Sequence, residues 1–208
     1  MSRPPRPSHL PLRDGVSASC VVVRPGDAPT ALDFLAARLA VLSRDEWAER
    51  LARGEVLDAQ GQPLNASTPC HPGQRIYYYR RLASEPEPLV SEHIAFQDEW
   101  LVVADKPHFM PVTPSGRFVQ QSLLVRLKRR LGLADLSPVH RIDRETAGLV
   151  VFAVQPHTRD AYQALFRDRR VRKLYEAVAP HRHGLLLPHT HRSRLAPDAE
   201  RFFLSREV

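Results

Sequence analysis

Apolar positions along this chain recur at two spacings, and the places where one spacing gives way to the other divide it into short helices and strands. In 30–40, "TALDFLAARLA", Leu32, Leu35 and Leu39 follow helical spacing behind Thr30, a residue able to cap a helix start. In 43–54, "SRDEWAERLARG", Ser43 and Glu46 make an S-x-x-E capping box, Trp47 and Leu51 share a face, and Gly54 ends the helix. The stretches 18–24 ("ASCVVVR") and 72–80 ("PGQRIYYYR") read as strands, with two short extended pieces around a glycine turn between 55 and 68. The Pro- and Glu-rich 82–92 reads as a linker. Beyond it the elements lengthen. A strand at 99–107 ends at a proline, and helix 119–132 turns Leu123, Leu124, Leu127 and Leu131 inward and its cations outward. A buried strand at 148–154, a helix at 157–169 and a strand at 172–179 follow. The fold class is α+β: a proline-rich arm (1–17), a small two-helix module with short strands (18–81), the linker, and a mixed-sheet domain of catalytic type (93–208).

Composition adds one strong inference. With 208 residues, 43% of them apolar, the chain can bury a core, and no apolar run approaches the ~20 residues that span a bilayer. The start, "MSRPPRPSHLPLRDG", lacks the apolar stretch of a secretory signal, so the cytoplasm is the expected compartment. Cys20 and Cys70 form no metal-type pair and no disulfide framework, and read as small packing residues. The formal net charge of +7, with cations clustered in "RLKRR" (126–130) and "RDRRVRK" (167–173), points to a polyanionic partner, most simply nucleic acid. A membrane surface fits less well, because neither cluster is backed by a wide aromatic face.

The candidate chemistry lies in residues 140–153, "HRIDRETAGLVVFA". Polar residues run straight into an apolar strand, which puts Asp143 in a loop at a strand's entrance, where rigid scaffolds carry reactive groups. Arg141 and Arg144 would hold its carboxylate ionised, as suits a nucleophile more than a general acid. The plainer alternative is a turn in which Asp143 accepts backbone amides near Thr146, and composition alone favours it. In 181–191, His181, His183, His189 and His191 alternate as zinc ligands on a strand could. No cysteine or well-placed carboxylate joins them and Pro188 breaks the segment, so it reads as a solvated or RNA-facing loop, and no metal is expected.

Three blocks, in order, carry a family resemblance. "HRIDRETAGLVVFA" is similar to the H-R-L-D-x-x-T-S-G-L signature of the RluA-type RNA pseudouridine synthases. "WLVVADKPHFMPVTPSG" (100–116) resembles that family's strand and Lys-Pro turn, and "VRKLYEAV" (171–178) its K-x-Y-x-A strand. Ahead of them, "LDFLAARL", the Ser43-Arg44 helix start, Gly54-Glu55-Val56 and "PGQRI" resemble the αL RNA-binding fold appended to many RNA-modifying enzymes.

The resemblance implies isomerisation of uridine to pseudouridine without cofactor or metal: the bond from uracil nitrogen to ribose is cut, the base turns in place, and ribose is rejoined at carbon five. It makes Asp143 the catalytic aspartate, acting on ribose, on the uracil ring or through a glycal. Arg141 would fill the gap left by the everted nucleotide or hold it, and Tyr175 would pack on the uracil. Arg44, Lys173, Arg144 and Lys106 are the substrate- and RNA-binding candidates; Lys106-Pro107 also shapes the pocket wall, and His140 orders the loop. Ile142 replaces the family's leucine and Ala147 its serine, and no counterpart of the later G-R-x-H-Q-x-R block follows. The domain at 93–208 is therefore expected to be the N-terminal part of a synthase domain, truncated towards the C-terminus.

Ribosomal RNA is favoured over transfer RNA as the substrate, since the accessory module is common among members acting there, and a monomer is expected. The alternative is a non-catalytic RNA-binding protein that keeps the scaffold. The enzymatic reading requires the Asp143 carboxylate to lie in a pocket walled by the central sheet, near the Tyr175 phenol.

Overall fold

Thr30 caps helix α1 (Ala31–Arg38) by accepting the Asp33 amide, and Ser43 caps α2 (Arg44–Ala52) in a full capping box with Glu46. Both helices thus stand where spacing predicts them in this computed structural model, which describes residues 10–82, 84–180, 183–184, 188, 190–198 and 205–208. They share a core with a three-stranded antiparallel sheet of order β1-β3-β2, built from β1 (Ser19–Val22), β2 (Val56–Leu57) and β3 (Arg75–Tyr78). Phe34, Leu35, Trp47, Leu51, Val56 and Ile76 fill that core.

A second core lies against a four-stranded antiparallel sheet of order β4-β5-β7-β6. Its strands are β4 (His93–Gln97), β5 (Leu101–Lys106), β6 (Ser137–Pro138) and β7 (Gly148–Ala153). Val102 and Ala104 of β5 and Val150 and Phe152 of β7 meet Leu123 and Leu127 of helix α3 (Leu123–Leu131). Helix α4 (Arg159–Arg167) follows a 3-10 turn at Pro156–Thr158. Strand β4 has no counterpart among the predicted elements, because an edge strand with mostly exposed residues carries no clear alternation.

The expected linker is pinned to the fold. The Glu85 carboxylate accepts the amides of Val119 (2.7 Å), Gln120 (2.9 Å) and Gln121 (3.0 Å), and the extended backbone of Ser122 sets the start of α3 at Leu123 and not at 119. At the far end of the same stretch, buried Glu92 pairs with Arg126 of α3 at 2.7 Å. The described part of the proline-rich arm is also packed: Leu10 and Val16 are buried, and Tyr79 donates its hydroxyl proton to the Pro11 carbonyl. Replacing Glu85 with alanine strands three amide donors, and the expected cost is about 2 kcal/mol, or roughly 4–8 °C in Tm, read by thermal unfolding. Glutamine at 85 retains part of this stability.

The chain forms two compact units, Met1–Val171 and Arg172–Val208. The second unit, 172–208, contains a two-stranded antiparallel ribbon of β8 (Leu195–Pro197) and β9 (Ser205–Glu207). The strand expected at 172–179 is absent: these residues have no ladder partner among the described residues, and a strand exists only through its ladder. Leu174, Tyr175 and Val178 are correspondingly exposed. His181 and His189 lie outside the described residues, while His191 pairs with Glu207 at 2.9 Å. No described helix is long and apolar enough to cross a membrane.

Candidate active site

The loop of Asp143 is tied down on three sides. Behind it, Val139 donates its amide to Val151, and Val151 returns its own amide to Nε2 of His140 (3.1 Å) where a strand ladder would use a carbonyl. An acceptor Nε2 puts the proton of the neutral ring on Nδ1. The same ring stacks on Phe166 of α4, centroids 4.3 Å apart, so His140 ends the pairing of β6 with β7 and turns the chain out into the loop. Ile142 then packs on the second core while the next side chain, Asp143, is exposed. Thr146 closes a turn by donating its amide to the Asp143 carbonyl, and Gly148, at φ 124°, returns the chain to β7 through a conformation that glycine alone adopts without strain.

Beneath the loop lies Lys106, the last residue of β5, with 0% of its surface exposed. Its ammonium donates to the carbonyls of Met110 (2.7 Å), Pro107 (3.0 Å) and Arg144 (3.1 Å), joining the Lys-Pro turn to the loop. Burial lowers its pKa from 10.5 to about 8, opposed by the negative charges of Glu145 and Asp143. His108 adds a second tie, from Nδ1 to the Glu145 carbonyl. Neither His108 nor Glu145 stands out in the sequence; their only signal is membership of two blocks that the fold brings together.

Several expected roles change. Arg144 does not pair with Asp143: its guanidinium binds Glu145 at 2.7 Å and holds that carboxyl below the usual carboxylate range, the neighbouring side chain being the nearer partner. Among the described residues no arginine forms an ion pair with Asp143, and the cation that feels its charge is buried Lys106. With all its proton-donating capacity directed at carbonyls and no exposed surface, Lys106 is a support of the loop and not an RNA contact. Asp143 stands exposed on the loop and not in the sheet-walled pocket expected for it, and among the described residues 172–179 supply no strand to any sheet. Arg141 is exposed on the same loop. Tyr175, 60% exposed, and Lys173 belong to the second unit, and Arg44 is linked to Asp33 at 2.7 Å across the two N-terminal helices. No group of three or more His, Cys, Asp or Glu among the described residues is placed to hold a metal ion.

A short aspartate loop leading into an antiparallel sheet, braced from below by a buried lysine, is the frame that the ordered sequence blocks mark. Residues 100–201 match the model of the RNA pseudouridylate synthase family, and the chain belongs to that family. An uncharacterised RNA pseudouridine synthase of Synechocystis is 32% identical over 147 residues, which are 71% of this chain and 50% of the relative. A mitochondrial pseudouridylate synthase of Mus musculus is 33% identical over 181 residues, 79% of this chain and 48% of the relative. The tRNA pseudouridine(31) synthase of Saccharomyces cerevisiae is 35% identical over 92 residues, 44% of this chain and 22% of the relative. Among solved structures, human RNA pseudouridylate synthase domain containing 4 shares 35% identity at a TM-score of 0.32, over 37% of this chain and 30% of that one. The chain spans half or less of the length of these relatives.

Proposed function

We propose that this chain isomerises uridine to pseudouridine in RNA, with Asp143 as the nucleophile. The observation that carries the proposal is the loop itself. One carboxylate is presented to the exterior on a turn that His140, Lys106 and His108 hold in place, which suits a group that must meet a nucleotide drawn out of its stack. To Arg141, exposed on that loop, we assign entry into the space the nucleotide leaves. Tyr175 and Lys173 we assign to contacts with the RNA, from their place in the K-x-Y-x-A motif. Arg44 and the helices around it form the accessory RNA-binding module, of αL type, and the preferred substrate is ribosomal RNA.

The exposure of Asp143 and the unpaired segment 172–179 favour one second reading, an RNA-binding protein that keeps the scaffold without turning over. The deciding experiment incubates the purified chain with unmodified ribosomal and transfer RNA transcripts and maps pseudouridine by carbodiimide-dependent reverse-transcription stops. New stops at discrete uridines are expected. Binding without any stop would leave only the second reading.

A further inference from the structure

Phe109 is placed against its own conformational interest. It follows the Lys106-Pro107 turn at φ 65°, in the left-handed region where a side chain is strained and glycine is not. The ring is not buried in return: it is 61% exposed, while the next residue, Met110, is buried in the second core. Strain held at an exposed aromatic residue points from the outlier to a use.

The surroundings indicate which use. The turn carrying Phe109 is bonded to the Asp143 loop twice, by Lys106 to the Arg144 carbonyl and by His108 to the Glu145 carbonyl. The ring of His108 flanks that of Phe109, with centroids 6.0 Å apart and a tilt of 46°. The loop to which the turn is bonded carries two exposed guanidinium groups, those of Arg141 and Arg144. An exposed aromatic face, fixed to a loop that bears both the nucleophile and two arginines, has the makings of a platform for an unpaired base.

We propose that Phe109 stacks on an unpaired base of the RNA next to the uridine presented to Asp143, and so offsets part of the cost of unstacking it. This rests on the reading of the chain as an RNA pseudouridine synthase. It assigns to one residue the recognition of single-stranded over paired RNA, because every base has a face to stack and a duplex keeps its faces covered.

The test uses the full chain, two fluorescent RNAs and fluorescence anisotropy at elevated salt, which suppresses the phosphate contribution that any basic chain makes. One RNA is a stem-loop with uridines in its loop; the other is a fully paired duplex. Phe109→Gly is expected to weaken stem-loop binding about tenfold, to leave duplex binding unchanged, and to melt no lower than the parent, since glycine relieves the strain. Phe109→Trp is expected to restore stem-loop binding.

Equal stem-loop affinity for parent and Phe109→Gly overturns the inference, as does an equal loss on both RNAs. Self-association of the parent that Phe109→Gly abolishes in sedimentation also overturns it, by making the ring a protein contact. Pseudouridine formation is measured in the same samples. A parent that shows the Phe109-dependent preference but converts no uridine loses the catalytic reading and keeps the platform. A parent that binds neither RNA loses the platform whatever its activity.

Discussion

Replacing Asp143 with asparagine is expected to reduce pseudouridine formation by at least about 10³-fold while leaving RNA affinity and thermal stability nearly unchanged. The split follows from where the carboxylate sits. It is exposed and makes no ion pair with any arginine among the described residues, so removing its charge breaks no brace of the kind that Lys106 and Glu85 supply. The loop geometry comes from other atoms: the Asp143 backbone carbonyl that Thr146 bonds, the His140 ring and the Lys106 ammonium. An asparagine side chain keeps the shape and loses only the nucleophilic charge. Quantified conversion of an RNA substrate by parent and variant, with anisotropy and melting on the same preparations, measures all three quantities. Equal turnover by the two proteins would end the catalytic assignment.

Replacing Lys106 with methionine is expected to lower both stability and turnover. At neutral pH the buried ammonium carries a desolvation cost of roughly 3 kcal/mol, judged from the depression of its pKa from 10.5 to about 8. Methionine removes that cost but leaves the carbonyls of Pro107, Met110 and Arg144 without their donor, at about 1–3 kcal/mol each. The second effect wins, and the net loss is about 2–3 kcal/mol, or roughly 4–12 °C in Tm. Turnover is expected to fall about 100-fold, since the loop loses the tie that sets its position.

Alkaline pH separates the two roles of Lys106. Its folded pKa lies below the unfolded value, so between about pH 8 and pH 10.5 the unfolded chain holds a proton that the folded chain has released. Its contribution to stability therefore rises with pH across that window, and the gap between parent and Lys106→Met widens. Activity moves the other way, falling above about pH 8 as the cation beneath Asp143 is lost. Denaturation midpoints and initial rates, followed together from about pH 7 to about pH 10 in parent and variant, check both signs.

What was legible in the sequence is what acts over a few residues. Thr30, Ser43 and Glu46 satisfy amides within a turn of themselves, so α1 and α2 start where those residues stand. Strands β5 and β7 are runs of apolar residues bounded by Pro107 and Gly148, and that pattern survives in any fold that buries them. The loop of Asp143 was visible for the same reason, as a polar stretch before an apolar one. The pairing of Asp143 with its flanking arginines was not legible, because adjacency in sequence says nothing of direction: Arg144 turns to Glu145 instead.

The amino-acid sequence by itself determined the two capped helices, the central strands, the basic character and the loop that bears the one candidate nucleophile. Only the tertiary structure decided which groups brace that loop. Glu85 reaches amides 34 to 36 residues away, and Lys106 a carbonyl 38 residues away, contacts that no local pattern encodes. It also decided that 172–179 stays outside any sheet, since a strand needs a partner as well as a propensity, and that Phe109 faces outward from a strained turn. The physical reason is common to all of these: caps and periodicity are satisfied by neighbours along the chain, whereas buried charges, ladders and exposed rings are settled by whatever the fold brings near.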